Sequence, residues 1–353
     1  MKKLLGLGAL MLGTTLLSSG CAATATTEPA TDQGPAAELR LGYFDNVTHA
    51  AALIGLQDGF FEDALGDTKL STQIFNAGPA AVEALSAGAI DAAYIGPSPA
   101  VNTFIQSGGQ SAVIVAGAAS GGAALVVRDG IDSPADLAGT LLATPQLGNT
   151  QDVALRSWLG DEGYRTSTTG GGDVNVSPTE NPQTLTLFQS GKIDGAWLTE
   201  PWVSRLMLEG GAHVLVNEAS LWDNGDFPTT VLLVRKAFLE EHPDTVSALL
   251  DGHVTAVDWL TDNRVDAVTI INAKLTADTG RALPDDVLTR ALTEVKFTVD
   301  PLASTFPISL AKAVKAGIGK DGNLDGLFNV ALLNDVLAKN AEEPVSAGGL
   351  GTE

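Results

Sequence analysis

Residues 78–95 and 181–198 are two versions of one segment, 103 positions apart. Pro79, Gly88, Ile90, Asp91 and Ala93 recur as Pro182, Gly191, Ile193, Asp194 and Ala196. Each copy orders a helix opened by proline, a glycine that stops it, an Ile-Asp pair and a short apolar strand. Proline suits the first helical turn, where its missing N–H has no partner anyway, and glycine suits the left-handed residue that ends a helix. Upstream the match is weaker: Thr48 with Thr150, Ala52-Leu53 with Ala154-Leu155, Gly59-Phe60 with Gly163-Tyr164. Shared helix–turn–strand grammar can create such a likeness by chance, but the matched proline, glycine and aspartate argue for a true repeat. Two such units in succession point to two similar α/β halves.

The rest of the chain fits that plan. Short apolar runs at 39–44, 69–75, 90–95, 113–119, 123–127, 141–143, 174–176, 195–198, 214–216 and 231–234 read as strands, before a helix-rich last third. Their alternation with helical segments predicts an α/β fold with largely parallel sheets. Ligands of such folds sit where strand C-termini and helix N-termini converge. The loops Gly96–Pro99 and Thr199–Trp202, which follow the repeat strands, should therefore line a cleft between the halves.

The N-terminus predicts export. Lys2 and Lys3 precede Leu4–Leu17, an apolar run too short for a span of about 20 residues and suited to a signal peptide. Leu17-Ser18-Ser19-Gly20-Cys21 resembles a bacterial lipobox, and Cys21 is the chain's only cysteine. The expectation is a lipid anchor on Cys21 at the extracytoplasmic face of the cell membrane. Ala22–Ala37, rich in Ala, Thr and Pro, reads as a flexible tether.

Composition removes several functions. One cysteine leaves no disulfide framework and no thiolate metal cluster. His49, His213, His242 and His253 are scattered, so no metal site and no cofactor are expected, and the last three read as surface or element-end residues. Loss of residues 1–20 would take the net charge from −22 to −24. That is unsuited to nucleic acid, whose phosphates need Lys and Arg. No GxSxG and no nucleophile–base pair appear, so no catalytic residue is assigned and a binding protein is favoured over an enzyme. Trp158 and Trp197 read as core.

Gly42–Ala50, Leu85–Ala92, Gly121–Val127, Ala143–Thr150 and Phe188–Gly195 together resemble the solute-binding proteins of ABC importers, in the nitrate, sulfonate and taurine group. The resemblance spans Leu39 to Asn340. It implies the type II periplasmic-binding-protein fold, with two lobes joined by two crossing strands and closing on a ligand. The crossings fall near Ala119–Val127 and Thr229–Val234. The expected organisation is a signal peptide at 1–20, a tether at 21–38, lobe 1 at 39–122 and 232–345, lobe 2 at 123–231 and a disordered tail at 346–353. The implied partners are a small anion or zwitterion, an ABC permease with its cytoplasmic ATPase, and the membrane through the N-terminal lipid, for a protein acting as a monomer.

Helix N-termini can hold an anion through free backbone N–H groups. Candidate ligand residues are Asn46, Thr48, His49, Gly78, Pro97, Ser98, Gly121, Asn149, Thr150, Glu200 and Trp202. The hydroxyls and amides among them are equally suited to plain helix capping. His49 could donate a bond or carry charge near pH 6.5, or be an exposed first-turn residue. Trp202 could pack on a carbon skeleton. Glu200 would repel an oxyanion but pair with an ammonium, or simply favour the helix dipole. Readings left open are a receptor for a thiamine-pyrimidine precursor or a quaternary amine, and an enzyme similar to a pyrimidine synthase.

Overall fold

The computed structural model describes residues 31–353. The signal peptide and Cys21 lie outside the described residues. Ten strands build two sheets: β1 (Glu38–Tyr43), β2 (Lys69–Ile74), β3 (Ala92–Ile95), β4 (Ala112–Gly121), β5 (Ala123–Val127), β6 (Leu141–Thr144), β7 (Asn175–Pro178), β8 (Gly195–Thr199), β9 (His213–Asn217) and β10 (Pro228–Arg235). Three short strands follow: β11 (Val295–Phe297), β12 (Phe328–Asn329) and β13 (Gly351–Thr352).

The first sheet runs β13-β12-β4-β10-β3-β1-β2, with β11 also on β4; the second runs β7-β6-β8-β5-β9. The cores of the two sheets have the same plan. In the first, β1 is parallel to β2 and β3, and β10 is antiparallel to β3 and β4. In the second, β6 is parallel to β7 and β8, and β5 is antiparallel to β8 and β9. The fold is α/β in two halves, as the repeat predicts.

Strands covered on both faces bury successive side chains on opposite sides. Ala92 and Tyr94 of β3 enter one core of the first sheet, Ala93 and Ile95 the other. The repeat reproduces this in β8, where Trp197 faces one core and Ala196 and Leu198 the other. The last third covers the first sheet: Val246, Leu249, Leu250 and Val254 of the helix Pro243–Asp262 share a core with Leu39 and Leu41.

The chain passes between the halves twice. Gly121 and Gly122 link β4 to β5 with φ of 79° and 68°. A Cβ at Gly122 would lie 2.5 Å from Val295 Cγ2, so left-handed backbone and close packing both require glycine. The second passage occupies 218–227, earlier than the expected Thr229–Val234. Those residues already belong to β10 of the first sheet, and a boundary at 231/232 cuts that strand. Thr229 and Thr230 hid this by being polar; both are buried, and Thr229 Oγ1 donates to Ala119 O.

Two chain ends depart from expectation. The tether does not run free to residue 38: Gln33 N–H bonds Glu241 O, and buried Ala36 donates to Thr245 Oγ1. The tail at 346–353 is not disordered; β13 pairs with β12, and Val330 N–H bonds Thr352 O. No helix among the described residues is long and apolar enough to cross a membrane.

Candidate functional site

A cleft of about 840 Å³ opens between the halves. The first half supplies Phe44, Asp45 and Asn46, which follow β1, and Phe75 and Asn76, which follow β2. The second half supplies Asn181, Pro182 and Leu185, which follow β7, and Pro201, Trp202, Arg205 and Glu209, which follow β8. Loops at the C-terminal ends of parallel strands from the two sheets thus meet at the cavity. The turn from Leu275 to Pro284 closes a third side and brings Arg281.

Of the residues singled out from sequence, Asn46 and Trp202 line this cavity. They are joined across it: Trp202 Nε1 donates to Asn46 Oδ1 at 2.9 Å, and Asn46 Nδ2 approaches Thr199 Oγ1 at 3.5 Å. The Arg205 guanidinium lies 4.7 Å from the Trp202 ring and pairs with Glu209 at 2.7 Å.

A second group meets elsewhere between the halves. Ser98 N–H, at the start of the helix Pro97–Gln106, donates to Thr150 Oγ1 at 3.3 Å. A threonine hydroxyl therefore sits on the amides expected to meet an anion. Asn149 caps its own helix, its Oδ1 accepting from Gln151 N–H at 3.0 Å. Gly78 packs on Pro99, whose Cγ would be 2.3 Å from an added Cβ. Thr48 and Glu200 flank Gly122, beside the Gly121 passage.

Two expectations fail on burial. His49 is neither exposed nor poised to charge: it stacks on Phe44 at 4.3 Å and its Nδ1 accepts from Phe44 N–H. Burial pushes its pKa down to about 3, so the ring stays neutral. Glu200 does not face the cleft; Arg290 holds its Oε1 at 2.7 Å and Ser204 N–H its Oε2 at 3.0 Å. Burial raises its pKa against these partners. His253 is likewise no surface residue: its buried Nε2 donates to Gly117 O and its Nδ1 accepts from Tyr94 O–H.

Sequence reasoning missed Asp45, Asn181, Arg205 and Arg281. Asn181 had a signal, since the repeat aligns it with Gly78. Asp45 lies beside Asp278 and Lys274 of the helix Arg264–Thr279. Lys274 Nζ is already bonded to Asp278 Oδ2 at 2.6 Å and Tyr43 Oη at 2.7 Å. Burial, then the charge of Asp278, push the Asp45 carboxyl up to about 7.

A profile of the NMT1-like family matches residues 32–272. A protein of Brucella abortus, named only as a binding protein, is 26% identical over 246 residues, 68% of this chain and 72% of its own. The taurine-binding periplasmic protein of Escherichia coli is 28% identical over 208 residues, 58% of this chain and 61% of its own. The solved alkanesulfonate-binding protein of Xanthomonas axonopodis, bound to MOPS, superposes with a TM-score of 0.67 at 22% identity, covering 81% of this chain and 95% of that one.

Proposed function

The chain belongs to the NMT1-like family, and from that premise we propose that it is the extracytoplasmic solute-binding component of an ABC importer, taking a small organosulfonate into the cleft between its halves. The cleft carries the reading. Its 840 Å³ suit an organic ligand; a bare nitrate, close in size to a water at about 30 Å³, would leave it filled with solvent. Guanidinium groups match oxyanions in geometry, and the walls offer Arg205 and Arg281 beside Phe44, Phe75, Leu185 and Trp202 for a carbon skeleton. The names of the taurine-binding and alkanesulfonate-binding relatives support the same class. A quaternary amine is less well served, because the Arg205 guanidinium already lies over the Trp202 ring.

The rest of the reading follows from that role. Cys21 carries the lipid that holds the protein at the membrane, and a permease with its ATPase takes the solute from the closed monomer. Closure is a hinge motion at Gly121–Gly122 and at 218–227, and the pairing of Ser98 with Thr150 belongs to the closed form. The test is a thermal-shift panel of nitrate, alkanesulfonates, taurine, thiamine pyrimidine and betaine. A sulfonate present at a hundred times its Kd should add about 2.7 kcal/mol of stability, with nitrate inert. A shift from nitrate, betaine or the pyrimidine alone would overturn the reading.

A further inference from the structure

We infer that the solute presents a protonated nitrogen to Asp45, so that the site selects a zwitterion over a plain alkanesulfonate. This rests on the solute-binding reading of the cleft. Buried polar atoms are nearly always hydrogen-bonded, so those that are not point to a missing partner. Among the described residues, buried Asp45 Oδ1 and Asn181 Oδ1 have no partner, and both residues line the cleft, one from each half. Asn181 is only 6% exposed. Asn181 Oδ1 accepts, and so does Asp45 once ionised, so the partner they lack is a donor; when protonated, Asp45 shares its hydrogen with Asp278 instead. Lys274, the cation that acts on Asp45, is not free to supply it: its ammonium is bonded to both oxygens of Asp278 and to Tyr43. Asp278 adds negative charge, and its carboxylate in turn accepts from Tyr43 O–H at 2.9 Å. An ammonium satisfies this setting in a way that water does only in part. It brings several N–H donors, and its charge relieves the repulsion between the two acids. Arg281 on the same cleft leaves the acid end of the ligand with a guanidinium partner, whereas Arg205 is already bonded to both oxygens of Glu209.

The experiment is calorimetry on the whole folded chain with matched pairs that differ only in the amine: taurine and ethanesulfonate, β-alanine and propionate, 2-aminoethylphosphonate and ethylphosphonate. In at least one pair the amine-bearing member should bind ten times or more tighter than its partner. Asp45→Asn should erase that preference while leaving the amine-free member equal or tighter, and Asn181→Ala should reduce it. Melting temperatures of the variants confirm folding. Without any variant, the affinity for the amine-bearing member should rise as pH increases toward 7, by up to about tenfold per unit, and then level off. Asp45 is the group that ionises there, with Asp278, Lys274 and Tyr43 around it. Preference for amine-free members, a preference that survives Asp45→Asn, or binding by no amine-bearing member overturns the inference. If β-alanine or the aminophosphonate binds through Asp45 and taurine does not, the sulfonate reading fails and this one stands.

Discussion

Asp91 and Asp194 hold equivalent places in the two sheets and are held differently. Each enters its repeat strand by bonding the parallel neighbour: Arg40 N–H donates to Asp91 Oδ2 at 3.1 Å, and Leu141 N–H to Asp194 Oδ2 at 2.8 Å. Each backbone carbonyl accepts from the antiparallel neighbour's end, from Arg235 N–H and Arg128 N–H. The side chains then diverge. Asp91 is buried between two guanidiniums, Arg40 at 2.7 Å and Arg235 at 3.1 Å. Asp194 is a third exposed and pairs with Arg128 alone, at 3.1 Å. Burial by itself would raise the Asp91 pKa; the arginine hydrogen bonds more than reverse it and hold it below the ordinary carboxylate value. The repeat thus conserves a backbone joint, while its electrostatic weight depends on what covers each sheet. The first sheet carries β11 to β13 and the C-terminal helices; the second lacks such additions.

The strongest way to sharpen this contrast is to cut both joints. Asp91→Ala strands two arginines and should cost about 3–5 kcal/mol, while Asp194→Ala should cost about 1 kcal/mol, read by urea denaturation. Equal losses would mean that the coverage of the sheets does not matter.

Acid should single out the first half next, because both buried histidines are there. His49 and His253 have pKa values lowered by burial, to about 3 and about 4. A lowered histidine pKa means the unfolded chain binds the proton more tightly. Their stabilisation is complete above the unfolded value near 6.5 and is lost as pH falls toward the folded values. Each ring should take away about 1.4 kcal/mol per pH unit within that window. The raised carboxyls of Asp45, Glu200 and Glu218 act the other way, so the test is the difference in denaturation midpoint between the chain and its His253→Gln variant at pH 7, 6 and 5; equal slopes in both would contradict it.

The smallest effect concerns the contact between Ser98, in the loop Gly96–Pro99, and the second half. Thr150→Ala removes the hydroxyl that meets Ser98 between the halves and should favour the open form by about 1 kcal/mol. The radius of gyration without ligand should grow, with the denaturation midpoint little changed. An unchanged radius would make the contact incidental.

The fold was legible because the repeat is written in residues with local meaning. Pro79 and Pro182 start helices, Gly88 and Gly191 stop them at φ of 67° and 71°, and an apolar strand follows each. The site was legible only in part. Asn46 and Trp202 follow strands whose ends point at the cleft, so position alone exposed them. Thr48, His49 and Glu200 follow the same strands, yet packing turned them inward, and no local pattern records that Arg290 would reach Glu200 or that Phe44 would cover His49. Arg281 and Leu283 come from the end of a helix pair more than 200 residues from Asp45, and Lys274 and Asp278 from the first helix of that pair. Their approach is a property of the assembled sheet cover, not of any window of sequence.

We propose that the two repeated halves close on a solute between them. Spin labels at Glu83 and Gln183, exposed on the corresponding helices Gly78–Ser86 and Asn181–Gln189, report the gap directly by pulsed electron resonance. With saturating taurine, or whichever member of the panel binds, the distance distribution should collapse to one narrow, short peak; without ligand it should be longer or broader. Tight binding with an unchanged distribution would contradict the account.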